Sequence, residues 1–478
     1  MPKNSIKTDI CVVGAGSGGL SVAAGAVQMG ARVVLVEGGK MGGDCLNYGC
    51  VPSKALIAAA KKASALDHSA EFGVTGDRPN VDYAAVMDHV AGIIAGIAPH
   101  DSVERFEELG VTVFEGYGRF LNDHQLVVGD QVIEAKRFVI ATGSSAATLP
   151  IEGLEDCGYL TNETLFENRE KPSHLVVIGG GPIGMEMAQA HRRLGCAVTV
   201  LEAFSVLAKD DPDLTKVAID AIKGEGVDIR EGAKIAKISR KPDGSIDIEL
   251  DQDGAVEIIT GSHILVAAGR KPNLDKLNLD AAGISYSRFG IEVDARLRTS
   301  NKKIFAIGDV AGGLQFTHVA GYHAGIVIRN ILFRLPAKVN YSAVPWVTYT
   351  DPEVANVGIS EAAAREKYGD DIRVLTFNYA ENDRARAERR EEGMVKAITT
   401  KKGKILGAGI VGMQAGELIH PWTLAITGKL KISSMASFIA PYPTLGEVNK
   451  RAAGSFYTPS LFSEKTRKIV RFLLRFMW

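Results

Sequence analysis

"DICVVGAGSGGLSVAAGAVQMGARVVLVEGG", residues 9–39, and "HLVVIGGGPIGMEMAQAHRRLGCAVTVLEA", residues 174–203, repeat one pattern. Each reads as an apolar strand, Gly-x-Gly-x-x-Gly, a helix rich in small residues, a glycine turn and a second strand that ends in glutamate. The glycines are Gly14, Gly16 and Gly19 in the first copy and Gly179, Gly181 and Gly184 in the second. Glu37 stands 18 residues after Gly19, and Glu202 stands 18 residues after Gly184. Each position has a physical task. The first glycine permits a tight turn, the second lets a pyrophosphate touch backbone amides, and the third lets helix and strand pack closely. The acid accepts hydrogen bonds from ribose hydroxyls. One such fingerprint is weak, because any glycine-rich turn can produce it. Two copies with matched acids predict two dinucleotide sites.

Composition sets the class around that repeat. The chain has 478 residues, 46% hydrophobic and 23% charged, enough for two to four globular domains. A formal net charge of −1 leaves no electrostatic footprint for nucleic acid. The start, "MPKNSIKTDICVVGAG", runs straight into an apolar strand and does not read as a secretory signal. Nor is there a run of about 18 apolar residues to span a bilayer. Five cysteines in this length make no secreted disulfide framework, so the expected compartment is the reducing cytoplasm.

Two of those cysteines, Cys45 and Cys50, lie together in "GGDCLNYGCVPSK", residues 42–54. They could be packing thiols, metal ligands or a reversible disulfide. Zinc would need two further ligands, and Cys11, Cys157 and Cys196 are scattered, which suits packing residues and leaves no metal site expected. The run "VPSKALIAAAKKA" predicts a helix after the second cysteine, whose positive end would favour a thiolate.

With "FVIATGSSAATLP", "HILVAAGRKPN", "KKIFAIGDVAGG" and "VPWVTYTDPEVANVGIS" in this order, the chain resembles the flavin-dependent disulfide reductases over roughly residues 8–455. It is most similar to their mercuric reductase and dihydrolipoamide dehydrogenase branches. The resemblance implies that the first fingerprint binds FAD, with Glu37 on the adenosine ribose and Asp309 on the ribityl chain. Gly118, Thr142, Gly143 and His318 fall where the family also touches flavin, and for His318 a packing role is the competing reading. The second fingerprint, with Gly269, would bind the nicotinamide cofactor. Glu202 would repel a 2′-phosphate and "AFSVLAK" after it lacks early arginines, so NADH is expected over NADPH. Cys50 would be the thiolate against the flavin and Cys45 the nucleophile that meets substrate. Lys54, paired with Glu186, would lie by the flavin N5 and help it receive hydride.

The informative departure is "APYPTLGEVNKRAAG", residues 440–454. Relatives that reduce thiol-based disulfides carry a His-Pro here, and a glutamate orients the histidine that shuttles the thiol proton. Glu447 is in place, but Tyr442 occupies the histidine position. A free phenol has a pKa of about 10 against about 6.5 for imidazole, a gap of roughly 5 kcal/mol. That counts against dihydrolipoamide and glutathione. Mercuric reductases carry tyrosine in a similar context, and a soft metal on two thiolates needs no proton shuttle. They also end in a cysteine pair and begin with a Cys-x-x-Cys domain, whereas this sequence ends "RFLLRFMW". The expected acceptor is therefore a metal ion such as mercury or copper(II), a quinone or a disulfide. Dihydrolipoamide dehydrogenase is the alternative within the family. An oxidant-sensing flavoprotein without sustained turnover is the alternative outside it.

The expected fold is α/β, with two Rossmann-like domains and an α+β dimerisation domain. FAD would occupy 1–152 and 273–344, the nicotinamide cofactor 153–272, and the dimer interface 345–458. In a homodimer, Tyr442 and Glu447 would reach the other subunit's disulfide. Residues 459–478 form a basic amphipathic tail. At 100° per residue, Arg467, Lys468, Arg471 and Arg475 share one arc opposite Ile469, Phe472, Leu473 and Phe476. Such a helix either packs on the dimer or lies in a membrane interface, at the inner face.

Overall fold

The computed structural model describes residues 4–67, 69–252 and 255–477. The chain divides into two compact units, residues 1–206 with 227–339 and residues 207–226 with 340–478.

In the first unit, the strands Val33–Glu37 and Gln131–Ile140 flank Asn4–Val13, both parallel to it. Among the described residues this sheet continues to Thr112–Glu115 on one side and to Gln125–Val128 and Arg119–Phe120 on the other. Ile304–Ala306 adds a further parallel pairing to Phe138–Ile140. The strands are apolar at residues 10–13, 33–36 and 138–140, where both faces of the sheet are covered. Ile10, Val12, Val33, Leu35 and Val139 pack on one face with Leu20, Ala23 and Ala26 of the helix Ser17–Gln28. Cys11, Val13, Val34, Val36, Phe138 and Ile140 fill the other face, so Cys11 is a fully buried packing residue.

The second copy builds its own parallel sheet, in the order Asp228–Glu231, Ala197–Glu202, His174–Ile178, His263–Val266. An antiparallel meander of Ile235–Arg240, Ile246–Gln252 and Ala255–Gly261 sets Ile246, Ile248 and Leu250 against Val176, Ile178 and Val266. Cys157 is buried in that same core.

The second unit is an antiparallel sheet in the order Pro345–Thr348, Glu353–Gly358, Ile405–Gly412, Met394–Thr400, Ile372–Asn378. Its core holds Trp422, whose Nε1 donates to Asn449 Oδ1 at 2.7 Å. The helix Pro212–Gly224 belongs to this unit and lays Leu214 and Ala218 on Val354 and Val411. Lys396 reaches from the sheet to the same helix. Its Nζ lies 2.9 Å from Asp211, 2.7 Å from Asp213 and 2.7 Å from Glu361, with the side chain only 6% exposed. Asp211 is only 8% exposed, so removing the lysine leaves its charge uncompensated in a poorly solvated place. Lys396→Ala is expected to cost about 3–5 kcal/mol of stability. Denaturant unfolding followed by tryptophan fluorescence measures it, and a loss under about 1 kcal/mol would mean that water already solvates the three carboxylates.

Candidate active site

The two fingerprint loops are built alike. Gly14 and Gly179 have φ of +107° and +112°, and a Cβ on either would lie 2.4 Å from Ala141 O or 2.6 Å from Ala267 O. A Cβ on Gly19 or Gly184 would lie 1.8 or 1.9 Å from the carbonyl of the first glycine. The middle glycines differ: Gly181 has no atom within 4 Å of that position, and Gly16 has its nearest at 4.0 Å. Open backbone at the start of a 12-residue helix is what an approaching pyrophosphate requires. The acids match as well. Glu37 accepts from the amides of Ala15 (2.5 Å) and Gly39 (2.6 Å), and Glu202 from those of Gly180 (2.7 Å) and Phe204 (2.9 Å).

The cysteine turn sits on the first loop. Cys45 lies in the short helix Gly43–Asn47, and Cys50 opens the helix Cys50–Ala63. Gly43, at φ +59°, comes so close to Gly16 that a Cβ would lie 2.7 Å from the Gly16 Cα. Gly42 and Gly16 also form a parallel bridge. Cys45 interacts with Ser17, the first residue of the fingerprint helix, and Cys50 Sγ lies 3.4 Å from Thr317 Oγ1. From the same helix Lys54 Nζ reaches Glu186 Oε2 at 2.8 Å, where the glutamate is buried in the second fingerprint helix. The expected Lys54–Glu186 pair is thus present in the structure.

Beneath the turn runs a polar chain. Arg270 pairs with Asp44 at 3.0 Å and donates to Ser144 Oγ and to the Ser144 carbonyl, both at 2.7 Å. Ser144 Oγ donates in turn to Asp309 Oδ2 at 2.6 Å. The Asp309 turn is held from the far side by His323, whose Nδ1 accepts from the Gly308 amide at 3.1 Å. Burial pushes the His323 imidazole down to about 4, so it is a neutral acceptor at pH 7.

This arrangement coincides with a known architecture. The chain matches the family model described as pyridine nucleotide-disulphide oxidoreductase over residues 8–324, and that family's dimerisation domain over residues 344–453. The chain belongs to this family. It is 35% identical to a mercuric reductase of Bacillus cereus over 452 residues, covering 94% of this chain and 71% of that one. It is 36% identical to a dihydrolipoyl dehydrogenase of Halobacterium salinarum over 460 residues, covering 94% and 96%. Among solved structures it resembles the copper(II) complex of the HOCl-induced flavoprotein disulfide reductase RclA from Escherichia coli. That likeness has a TM-score of 0.84 at 28% identity and covers 94% of this chain and 99% of RclA. The protein is therefore an FAD-dependent disulfide oxidoreductase with NAD(P)H as donor, and its dimerisation domain supports a homodimer. When bound, FAD supplies the chemistry that turns a hydride from NAD(P)H into two electrons for sulfur.

What the oxidoreductase's own residues do follows from their charges. A hydrogen bond from Cys45 is the largest influence on Cys50. With Thr317 and the Lys54 charge it pulls that thiol from 9.0 down to about 6, against burial. The same bond, then burial, then the Cys50 charge push Cys45 up. These influences make Cys50 the more acidic thiol of the pair and Cys45 the less acidic. Of the other expected flavin contacts, Thr142 Oγ1 donates to Asn273 O at 2.9 Å, and Gly143 takes φ +67° beside it. A Cβ on Gly118 would meet Leu126 at 2.9 Å. Gly269 turns at φ +127° and accepts from Ala147 N at 3.0 Å. His318 is exposed and stacks on Phe316 at 5.2 Å.

Tyr442 and Glu447 belong to the second unit. Tyr442 is 70% exposed, and its hydroxyl donates to Asp383 Oδ2 at 3.1 Å. Glu447 opens the helix Glu447–Gly454 and acts on the phenol only through charge. The Asp383 hydrogen bond and both carboxylate charges raise the Tyr442 phenol above its ordinary value. Sequence reasoning missed Asp383, Thr317, Ser17, Arg270 and His323. Thr317, Ser17 and Arg270 had a signal as neighbours of His318, Gly16 and Gly269, whereas Asp383 and His323 had none. Among the described residues no group of three or more His, Cys, Asp or Glu is arranged to hold a metal ion.

Alkylation of the reduced protein by iodoacetamide tests the thiol assignment. The Cys50 rate should rise through a midpoint near pH 6, while Cys45 stays unreactive through neutrality. Lys54→Gln removes a charge that favours the thiolate and should move that midpoint upward. A shared midpoint near the ordinary 9.0 for both cysteines would overturn the assignment.

Proposed function

We propose that this oxidoreductase uses NADH to reduce a soft, oxidised metal ion at Cys45 and Cys50. The observation that carries the reading is Tyr442. A proton shuttle for a dithiol substrate must gain and lose a proton near neutral pH. A phenol raised above its ordinary value by Asp383 remains protonated there, and so acts as a hydrogen-bond donor. A metal ion asks for something else. Cys50, the more acidic thiol, binds as thiolate, Cys45 gives its proton to solvent as it binds, and thiolates are the soft ligands that such an ion prefers. Transfer of two electrons from the bound pair leaves the Cys45–Cys50 disulfide with one Hg(0), or with two Cu(I) from two Cu(II). The names of two relatives agree with this reading, a mercuric reductase and a copper(II) complex of RclA.

The deciding experiment is NADH oxidation with Hg(II), Cu(II), a quinone, glutathione disulfide and lipoamide offered in parallel. Metal-dependent turnover that Cys45→Ser abolishes is the expected result. Dihydrolipoyl dehydrogenases are as similar in sequence, so the second comparison is with dihydrolipoamide. Wild-type activity should be low, and Tyr442→His should raise it by about tenfold or more, the low end for a general base. Robust wild-type dihydrolipoamide oxidation near pH 7 would exclude the metal reading's premise.

The donor preference rests on Glu202. Each of its oxygens holds one backbone amide, which keeps lone pairs for ribose hydroxyls and fixes a negative charge at the end of the second fingerprint. NADH should therefore exceed NADPH in kcat/KM, and Glu202→Arg should narrow or reverse the ratio. A wild-type preference for NADPH would sink this assignment.

A further inference from the structure

The redox chemistry leaves the last helix, Glu464–Leu474, without a task. Its start is set locally: Ser463 Oγ accepts from the Thr466 amide at 3.2 Å and lies 3.0 Å from Thr466 Oγ1. None of its residues is buried. The rings of Phe472 and Phe476 meet edge to face at 5.1 Å, so the aromatic pair shares one side of the helix. Ile469, Val470, Leu473 and Met477 extend that side, and all six are exposed, Phe476 and Met477 to 72%. The opposite arc carries Arg467, Lys468, Arg471 and Arg475. Lys465 is a fifth cation, on the apolar half but in the first turn, from which its stem can carry the charge outward. Against five cations stands a single acid, Glu464, 3.9 Å from Arg467.

We propose that this helix lies in the plane of an anionic lipid surface, apolar side inward and basic arc among the headgroups. Two features favour lipid over a second copy of the chain. The apolar side is wide and rich in aromatic and long aliphatic residues, the make-up that enters an acyl boundary. The net charge of this segment is strongly positive in a chain whose formal total is −1, which complements an anionic leaflet. Eleven residues make a helix about 17 Å long, far short of a bilayer core. No helix among the described residues is long and apolar enough to cross a membrane. Surface binding is the geometry left.

The test is flotation of the full-length protein with vesicles of phosphatidylcholine, with and without phosphatidylserine, beside a chain stopped after Tyr457. Light scattering reports the dimer in each case. Full-length protein should float with the phosphatidylserine vesicles, less so in high salt, and the shortened chain should stay behind as an intact dimer. In the full-length protein, Lys468→Ala with Arg471→Ala should weaken binding roughly thirty-fold, the loss expected for two cations at an anionic surface. Equal flotation with neutral vesicles, equal flotation of the shortened chain, or no flotation at all would overturn the proposal. So would a shortened chain that falls to monomers, which would assign the helix to a second copy.

Discussion

Two glycines touch at the heart of the first unit, and the chemistry depends on that touch. Gly43 and Gly16 approach so closely that a single Cβ on Gly43 would drive their backbones apart. The approach seats the cysteine turn on the first fingerprint, with Cys45 at Ser17 and Cys50 at the head of its own helix. That helix then carries Lys54 to Glu186 on the second fingerprint helix. One backbone contact thus brings together a dinucleotide loop, a dithiol and an ion pair that reaches the second loop.

The charges around the dithiol are unequal, so the two thiols are shifted in opposite directions. Position supplies the inequality. Cys50 has a helix start, Thr317 and the Lys54 charge, whereas Cys45 donates its proton toward Cys50 and is penalised by burial. At the C-terminal end the same electrostatics act in reverse. Asp383 and Glu447 surround a phenol with negative charge and hold its proton in place. A histidine beside carboxylates would be stabilised as a cation and could carry a proton, but a tyrosine beside them becomes a poorer acid. A tyrosine at residue 442 is thus a hydrogen-bond donor where a histidine would be a proton carrier.

Much of this was legible in the sequence because its signals are local. Gly-x-Gly-x-x-Gly with a spaced acid describes a turn, a helix start and a strand end, all within about thirty residues. The cysteine segment, Lys54 and the Tyr442 departure are likewise read from short runs. The polar chain from Asp44 through Arg270 and Ser144 to Asp309 was not legible, since its members lie in four separate segments of sequence. Nor was the partner of Tyr442: the run after it points to Glu447, yet the hydroxyl reaches Asp383, some sixty residues earlier. His323 shows the same limit, buried on a helix whose exposed His318 drew the attention. By itself, then, the sequence determined which residue types stand at each turn, cap and strand end, because backbone sterics and helix electrostatics act between near neighbours. Only the tertiary structure decided which distant groups set the two thiols apart, which carboxylate holds the phenol and which histidine holds the Asp309 turn. Those outcomes depend on burial and on hydrogen bonds between distant segments, and both come into being only when the chain folds.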